Sequence, residues 1–314
     1  MAIVAPASKP SADGITKGIR RIQEMGFKVV LGDCVRKTSR QGFLAAPDKE
    51  RAEEMNQMFR RDDINAIFCS QGGYGAIRIL DSIDYERVRD SPKILMGMSD
   101  ITSLLLAIHK MTGMITFHGP SICGQEFTPY SRESIVKTLS GESDLELKNP
   151  PDGPFIHTVN GGTAEGELTG GNLNLIAATI GTEYEIDTAG KLFFFEAPQL
   201  RPWQIDRHLI HLKLANKMQM VSGFIAGEMV SSNPNERALG EFGLQYPREI
   251  LGHHFSSSVE EVVGENLLQY NRPAVYGLCC GHGRNQTVVP IGAKAVLDAS
   301  KGTLVLSEPP TANN

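Results

Sequence analysis

The sequence has no basic block, no apolar run of membrane-spanning length and no cysteine framework. Each absence removes a class of function. The formal net charge is −5 over 314 residues, so there is no electrostatic footprint for nucleic acid. A transmembrane helix needs about 20 apolar residues, and no run approaches that. The opening "MAIVAPASKP" lacks a basic n-region and a long h-region, so no secretory signal is expected. The five cysteines, Cys34, Cys69, Cys123, Cys279 and Cys280, are odd in number and lack disulfide or metal spacing. Buried, reduced thiols in a cytoplasmic protein fit them best. There is no internal repeat, heptad pattern or low-complexity tract.

What is present is a βα rhythm. "AIVAPAS", "FKVVLG", "INAIFCS", "KILMGMS" and "MITFHGP" read as strands. Between them "ADGITKGIRRIQEMG", the charged "DKERAEEMNQMFRR", "AIRILDSI" and "DITSLLLAIHKMTG" read as helices, the second surface-facing. Repeated βα units predict a doubly wound parallel sheet in an N-terminal α/β domain over residues 1–150. Residues 151–164 fall in a Pro-, Gly- and Asn-rich stretch, read as a linker. A smaller, β-rich C-terminal domain is expected over 165–314, with strands at "KLFFFE", "VSGFIAGEM" and "PAVYGLCCGHG" and helices at "IDRHLIHLKLANKM" and "SSSVEEVVGENLLQY". Ser258 and Glu261 have capping-box spacing. Ser231–Ser256 has little pattern and reads as a surface insertion.

The corner Gly97-Met98-Ser99-Asp100 stands between a strand and a helix. An oxygen nucleophile is well placed there, because the helix start offers free N–H groups to an oxyanion. Ser and Asp are equally good N-caps, which need no chemistry. The stripe Ile101, Leu104, Leu105 and Ile108 gives the helix a buried face. "CSQGGYGAIRIL" places Gly72, Gly73 and Gly75 after a strand. It misses the glycine spacing of a dinucleotide loop and has no P-loop lysine. A tight turn or an oxyanion donor beside Ser99 remains.

A serine nucleophile needs a base and a group to orient it. His109 falls on the polar side of its helix. His208 and His211 are three apart but have no third metal ligand. His253 and His254 sit in the insertion. His282 lies between two glycines just past a strand, a position that presents it to a cleft. Cys279, Cys280 and His282 lack zinc-site spacing. Glu196 ends "KLFFFE", either as an exit to solvent or as a carboxylate held for work. No metal or cofactor is expected.

Taken in order, "IVAPAS", "CSQGGYGAIRILDSIDY", "GMSDITSLLLAIHKMTGMITFHGP", "GELTGGNLNLI", "FFFEAPQLRPWQIDRHLIHL" and "YGLCCGHGRNQTVVPIG" resemble the LD-carboxypeptidase family of serine peptidases. The microcin-C-immunity peptidases share that fold. The resemblance covers nearly the whole chain. It implies a triad of Ser99 as nucleophile, His282 as base and Glu196 as orienter. The oxyanion hole falls to Asp100 and a backbone N–H of the Gly72-Gly73 turn, with Gly73 matched. It further implies a homodimer and release of a terminal D-residue from a murein-derived peptide, the type substrate being murein tetrapeptide.

Departures cluster at the substrate mouth. Gln71 stands where the family often has Arg, and Ala197, Leu200 and Trp203 replace other habitual residues. Gln71, Gly72 and Trp203 are the candidate substrate contacts. Two further functions fit the same resemblance. One is an immunity-type hydrolase of peptidyl or aminoacyl nucleotides, with Trp203 stacking on a base. The other is a peptide-binding relative without catalysis.

Overall fold

The computed structural model describes residues 1–125, 127–142, 144–229 and 258–311. The expected insertion, Ser231–Ser256, lies outside the described residues.

The first sheet is built from β1 (Ala2–Val4), β2 (Val30–Leu31), β3 (Ala66–Cys69), β4 (Ile94–Gly97) and β5 (Thr116–His118). They run parallel in the order β2-β1-β3-β4-β5. Side chains alternate across the sheet. Ile3, Phe68, Met96 and Phe117 share a core with Ile22 of α1 (Ala12–Glu24) and Ile135 of α5 (Pro129–Leu139). Val4, Ile67 and Leu95 join the core holding Met55 and Phe59 of α2 (Asp48–Arg60) and Val88 of α3 (Tyr85–Asp90). Both faces are covered, which is why these strands are apolar throughout. In such a sheet the strand order reverses between β1 and β3. Ligands bind outside the carboxyl ends of the strands near that point.

The second sheet has the order β13-β12-β7-β8-β9-β10-β6. Its centre is β7 (Thr163–Asn172), β8 (Leu192–Glu196), β9 (Gly223–Gly227) and β10 (Ala274–Leu278), all parallel. Among the described residues, the crossovers hold α6 (Leu173–Thr179), α7 (Pro202–Leu214) and α8 (Val259–Leu268). Antiparallel strands close the edges: β6 (His157–Asn160) on one side, β12 (Lys294–Asp298) and β13 (Thr303–Leu306) on the other. The stretch 151–164 therefore contains β6 and the start of β7. Strand β11 (Val289–Ile291), from the C-terminal half, pairs antiparallel with β5 of the first sheet.

The halves are fused through α4 (Thr102–Thr112), whose residues Thr102–Ile108 are all buried. A helix buried all round lies between two layers, and α4 packs against β4, β5, β7 and α6. Gly113, left-handed at φ 75°, ends it. Ser258 and Glu261 form the expected capping box at α8.

Two local expectations need correction. Helix α2 is surface-facing along one side only: Lys49, Glu50, Glu53, Gln57 and Arg60 are exposed, but two of its charged residues, Arg51 and Glu54, are buried. Arg51 is fully buried and donates to Ala46, Pro6 and Gly75 carbonyls, while Glu54 accepts from the Cys34 amide at 2.8 Å. Charges that find backbone partners can be buried. Ala76–Ser82 is 3-10 rather than α-helical, and its first amide, which has no partner within a helix, donates to Asp100 Oδ2.

Candidate active site

Ser99 occupies a strained corner. Strand β4 ends at Gly97, Met98 is extended, and Ser99 takes φ 60°. That left-handed conformation is unfavourable for a residue with a Cβ. One 3-10 turn, Ser99–Ile101, then leads into α4. Neither that turn nor α4 has a side-chain cap, so Ser99 is not there as a cap. Gly97 admits the tight corner: a Cβ there would stand 2.7 Å from Ile101.

The glycine turn lies directly against this serine. A Cβ on Gly72 would sit 2.7 Å from Ser99 Cβ and 3.1 Å from the Asp100 nitrogen. Gly73 has φ 95°, and a Cβ there would overlap Ser8. The turn is pinned from below. The Ala76 amide donates to Asp100 Oδ2 at 2.7 Å, and buried Arg51 donates to the Gly75 carbonyl at 2.9 Å. Burial pushes the Asp100 carboxyl up, opposed by the Ala76 amide and Arg51. Asp100 thus brings its own amide beside Ser99 while its side chain fixes the neighbouring turn.

Glu196 and His282 come from β8 and the loop after β10. Glu196 Oε2 lies 2.7 Å from His282 Nδ1. Glu196 is fully buried and His282 is 22% exposed at its side chain. Burial alone would raise the Glu196 carboxyl. His282, His118 and Asn172 outweigh it and hold it below the usual carboxylate range. The glycine before His282 is explained by space: a Cβ on Gly281 would stand 2.9 Å from Glu196 Oε2. The Gly281 carbonyl also accepts from Gln286 Nε2 at 2.9 Å.

Three residues not singled out in the sequence complete the site. Asn172, at the end of β7, donates from Nδ2 to Glu196 Oε1 at 2.9 Å. Its own amide donates to Thr102 Oγ1 at 3.0 Å. Thr102 begins α4, directly after the Ser99 turn. Hydrogen bonds therefore run from the Ser99 element through Asn172 and Glu196 to His282. The third residue is His118, at the end of β5. It is buried, its Nε2 is 2.9 Å from the Cys280 carbonyl, and its ring meets Phe194 edge-on at 5.5 Å. Burial pushes the His118 imidazole down, so the neutral ring donates from Nε2. It braces the loop that carries His282. Two of them left a signal, an Asn after Gly-Gly at a strand end and a His at the end of a parallel strand, whereas Thr102 left none.

The remaining candidates have the following partners. Gln71 donates from Nε2 to the Lys9 carbonyl at 2.9 Å. Trp203 is half-exposed on the first turn of α7, with the Arg207 guanidinium 4.8 Å over its ring. His109 is half-buried, not solvated, with Nδ1 3.0 Å from the Met114 carbonyl. His208 and His211 lie along α7 as half-buried and exposed residues, and His253 and His254 lie outside the described residues. All five cysteines are free and buried. Burial pushes the Cys34 and Cys123 thiols up to about 12. Among the described residues no group of three His, Cys, Asp or Glu is disposed to hold a metal ion, and no helix is long and apolar enough to cross a membrane.

A strained serine beside a glycine turn, three residues before a Thr102 that is linked through Asn172 to a buried carboxylate–imidazole pair, suits a hydrolase that uses a serine nucleophile. Comparison with known proteins gives the family. Residues 1–119 match the LD-carboxypeptidase N-terminal domain and residues 165–297 its C-terminal domain. The probable murein peptide carboxypeptidase of Bacillus subtilis is 36% identical over 308 residues, covering 97% of this chain and 90% of that protein. The murein tetrapeptide carboxypeptidase of Pseudomonas aeruginosa is 28% identical over 310 residues, covering 96% and 94%. The wild-type apo structure of the microcin C7 self-immunity protein MccF superposes with a TM-score of 0.85 at 25% identity, covering 99% and 96%. Solved structures of MccF include complexes with aspartyl sulfamoyl adenosine and glutamyl sulfamoyl guanosine. The chain belongs to the LD-carboxypeptidase family, and it is a peptidase.

Proposed function

We propose that this chain is a cytoplasmic serine carboxypeptidase that removes the terminal D-Ala from murein tetrapeptide during peptidoglycan recycling, working as a homodimer. The Glu196–His282 pair, tied through Asn172 and Thr102 to the Ser99 turn, is the observation that carries the reading. The substrate is drawn from the murein peptides named for the Bacillus and Pseudomonas relatives.

In this mechanism Ser99 Oγ attacks the carbonyl carbon of the amide joining the L-centre to D-Ala. His282 Nε2 accepts the hydroxyl proton and then delivers it to the leaving D-Ala amine. Glu196 holds the proton on Nδ1, fixing the tautomer in which Nε2 is the base. The Asp100 and Gly73 amides receive the oxyanion. Water, activated by the same imidazole, then hydrolyses the acyl-enzyme and frees Ser99.

Mass spectrometry of murein tetrapeptide incubated with the wild type and with Ser99→Ala tests this. Loss of one D-Ala with the wild type alone is expected. Turnover by Ser99→Ala would exclude the serine mechanism.

The likeness to MccF favours a second substrate class, aminoacyl nucleotide analogues. Trp203, half-exposed and stacked with Arg207, offers a platform for a base. Release of aspartate from aspartyl sulfamoyl adenosine, with no D-Ala released from tetrapeptide, would move the assignment there.

A further inference from the structure

We infer that Lys9 binds the free terminal carboxylate of the substrate, with Gln71 holding Lys9 in position. This rests on the carboxypeptidase reading above and deepens it.

A carboxypeptidase has to distinguish a chain end from an internal residue. The distinguishing group is a carboxylate, and binding it out of water calls for a cation. One residue spans about 3.5 Å, so that cation belongs on the rim beside Ser99. The rim consists of the segments that follow β1, β3 and β4.

Lys9 stands on the segment after β1, and that segment is fastened to the glycine turn. The Lys9 carbonyl accepts from Gln71 Nε2 at 2.9 Å. The Ser8 amide donates to the Gly72 carbonyl at 3.3 Å, and the Tyr74 amide donates to Ser8 Oγ at 3.1 Å. Gly72 itself abuts Ser99. Lys9 Nζ donates to Thr38 Oγ1 at 2.7 Å, a neutral partner. Among the described residues no carboxylate forms an ion pair with Lys9, so its charge is uncompensated.

Two neighbouring arginines are otherwise engaged. Arg51 is buried and divides its donors among three carbonyls and Asp48. Arg78 forms a two-pronged pair with Asp48. Arg284, two residues past His282, is exposed and has neither an ion pair nor a hydrogen bond among the described residues. It is the rival, but nothing fixes its guanidinium in place. Lys9 is held at its backbone and at its Nζ, and a preorganised cation loses less entropy on binding. Gln71 then acts through Lys9 as a positioning residue, its amide nitrogen already being occupied.

The test uses Ser99→Ala protein, so that binding is read without turnover. Calorimetry compares synthetic murein tetrapeptide as the free acid and as the C-terminal carboxamide. The acid is expected to bind roughly ten- to a hundredfold tighter, as for a charge-assisted hydrogen bond. Adding Lys9→Ala should bring that ratio close to one, and Lys9→Arg should restore most of it. Gln71→Ala should reduce it partly, with no further loss in the Lys9→Ala background. Arg284→Ala should leave it in place. A ratio that survives Lys9→Ala, a ratio erased by Arg284→Ala alone, or equal binding of acid and amide at the outset would each overturn the inference. The reaction itself is scored separately by D-Ala release from the wild type. Turnover with a ratio indifferent to Lys9 would sink only the carboxylate reader, and a Lys9-dependent ratio without turnover would sink only the reaction.

Discussion

His282 Nδ1 sits 2.7 Å from Oε2 of Glu196, a carboxylate with no solvent exposure. The second oxygen, Oε1, is taken by Asn172. A buried carboxylate so paired stays ionised and can hold a proton on one chosen imidazole nitrogen. Replacing Glu196 by Gln keeps the shape and inverts that instruction, because an amide nitrogen facing Nδ1 donates instead of accepting. The proton then moves to Nε2, where the base is needed. We expect Glu196→Gln to lower kcat by on the order of 10²- to 10⁴-fold, the usual range for general acid–base catalysis, with KM little changed. A kcat within threefold of wild type would exclude Glu196 as the group that orients His282.

Ser99 tests the strain at the corner. Its φ of 60° costs a residue with a Cβ roughly 1–2 kcal/mol, whereas glycine adopts it freely. Ser99→Ala and Ser99→Gly should both be inactive, yet the glycine variant should be the more stable by about 1 kcal/mol. Urea denaturation of the two proteins decides it. An alanine variant as stable as the glycine variant would show that the corner stores no strain.

Gly72 is required for space rather than for conformation. It is not among the glycines of positive φ, so alanine fits the backbone. The added methyl would stand 2.7 Å from Ser99 Cβ and 3.1 Å from the Asp100 nitrogen. Gly72→Ala should therefore lower kcat by about 10²-fold or more, the cost of spoiling an oxyanion donor, while circular dichroism stays near wild type and stability falls by about 1–3 kcal/mol, the usual cost of overpacking. Full activity would place the oxyanion elsewhere.

Asn172 gives a comparison with a definite sign. Asn172→Ala removes one hydrogen bond to Glu196. Asn172→Asp puts a second carboxylate against a buried one, and two such groups resist joint ionisation. At pH 7 the Asp variant should melt below the Ala variant. At pH 5 the gap should narrow, because protonation of one partner removes the repulsion. A gap that stays constant with pH would show that Asn172 and Glu196 are not electrostatically coupled.

Much of this site was legible in the chain because strand ends announce themselves. "KLFFFE" alternates so that Phe193 and Phe195 stack on one side, 5.4 Å apart, and Phe194 meets His118 on the other. Glu196 follows in the register of Phe194. The βα rhythm likewise carried the parallel sheet. What sequence patterns could not carry was partnership across the two halves. Thr102 reads as an ordinary helix start and Asn172 as a turn residue, and each acquires its role only when β7 meets α4. Helix α2 looked like a solvated face because Arg51 and Glu54 are charged. Besides Asp48 and Ala46 close by, their partners are backbone groups of Pro6, Gly75 and Cys34, supplied by distant segments that no periodicity records. The place of strand β11 beside β5 is likewise a matter of topology.

His118 supports a prediction about pH. Its folded pKa is depressed below 6.5 by burial, so between those values the unfolded chain binds a proton that the folded chain does not. Stability from this group is complete above about pH 6.5 and is lost as pH falls below it. His109 and His208 are depressed in the same way. Glu196 is also depressed, but from 4.5, so its share is lost only at more acid pH. Burial pushes the Asp100 and Glu54 carboxyls up, which acts in the opposite sense, so the fall in melting temperature from pH 6.5 to 5 that belongs to His118 is read as the difference between the wild type and the His118 variants. His118→Gln removes the titration while keeping a donor for the Cys280 carbonyl, so its decline should be shallower and its kcat near wild type. His118→Phe should flatten the decline equally but lower kcat without raising KM, because the His282 loop loses its brace. Equal kcat in the two variants would show that His118 fills space and does not position His282.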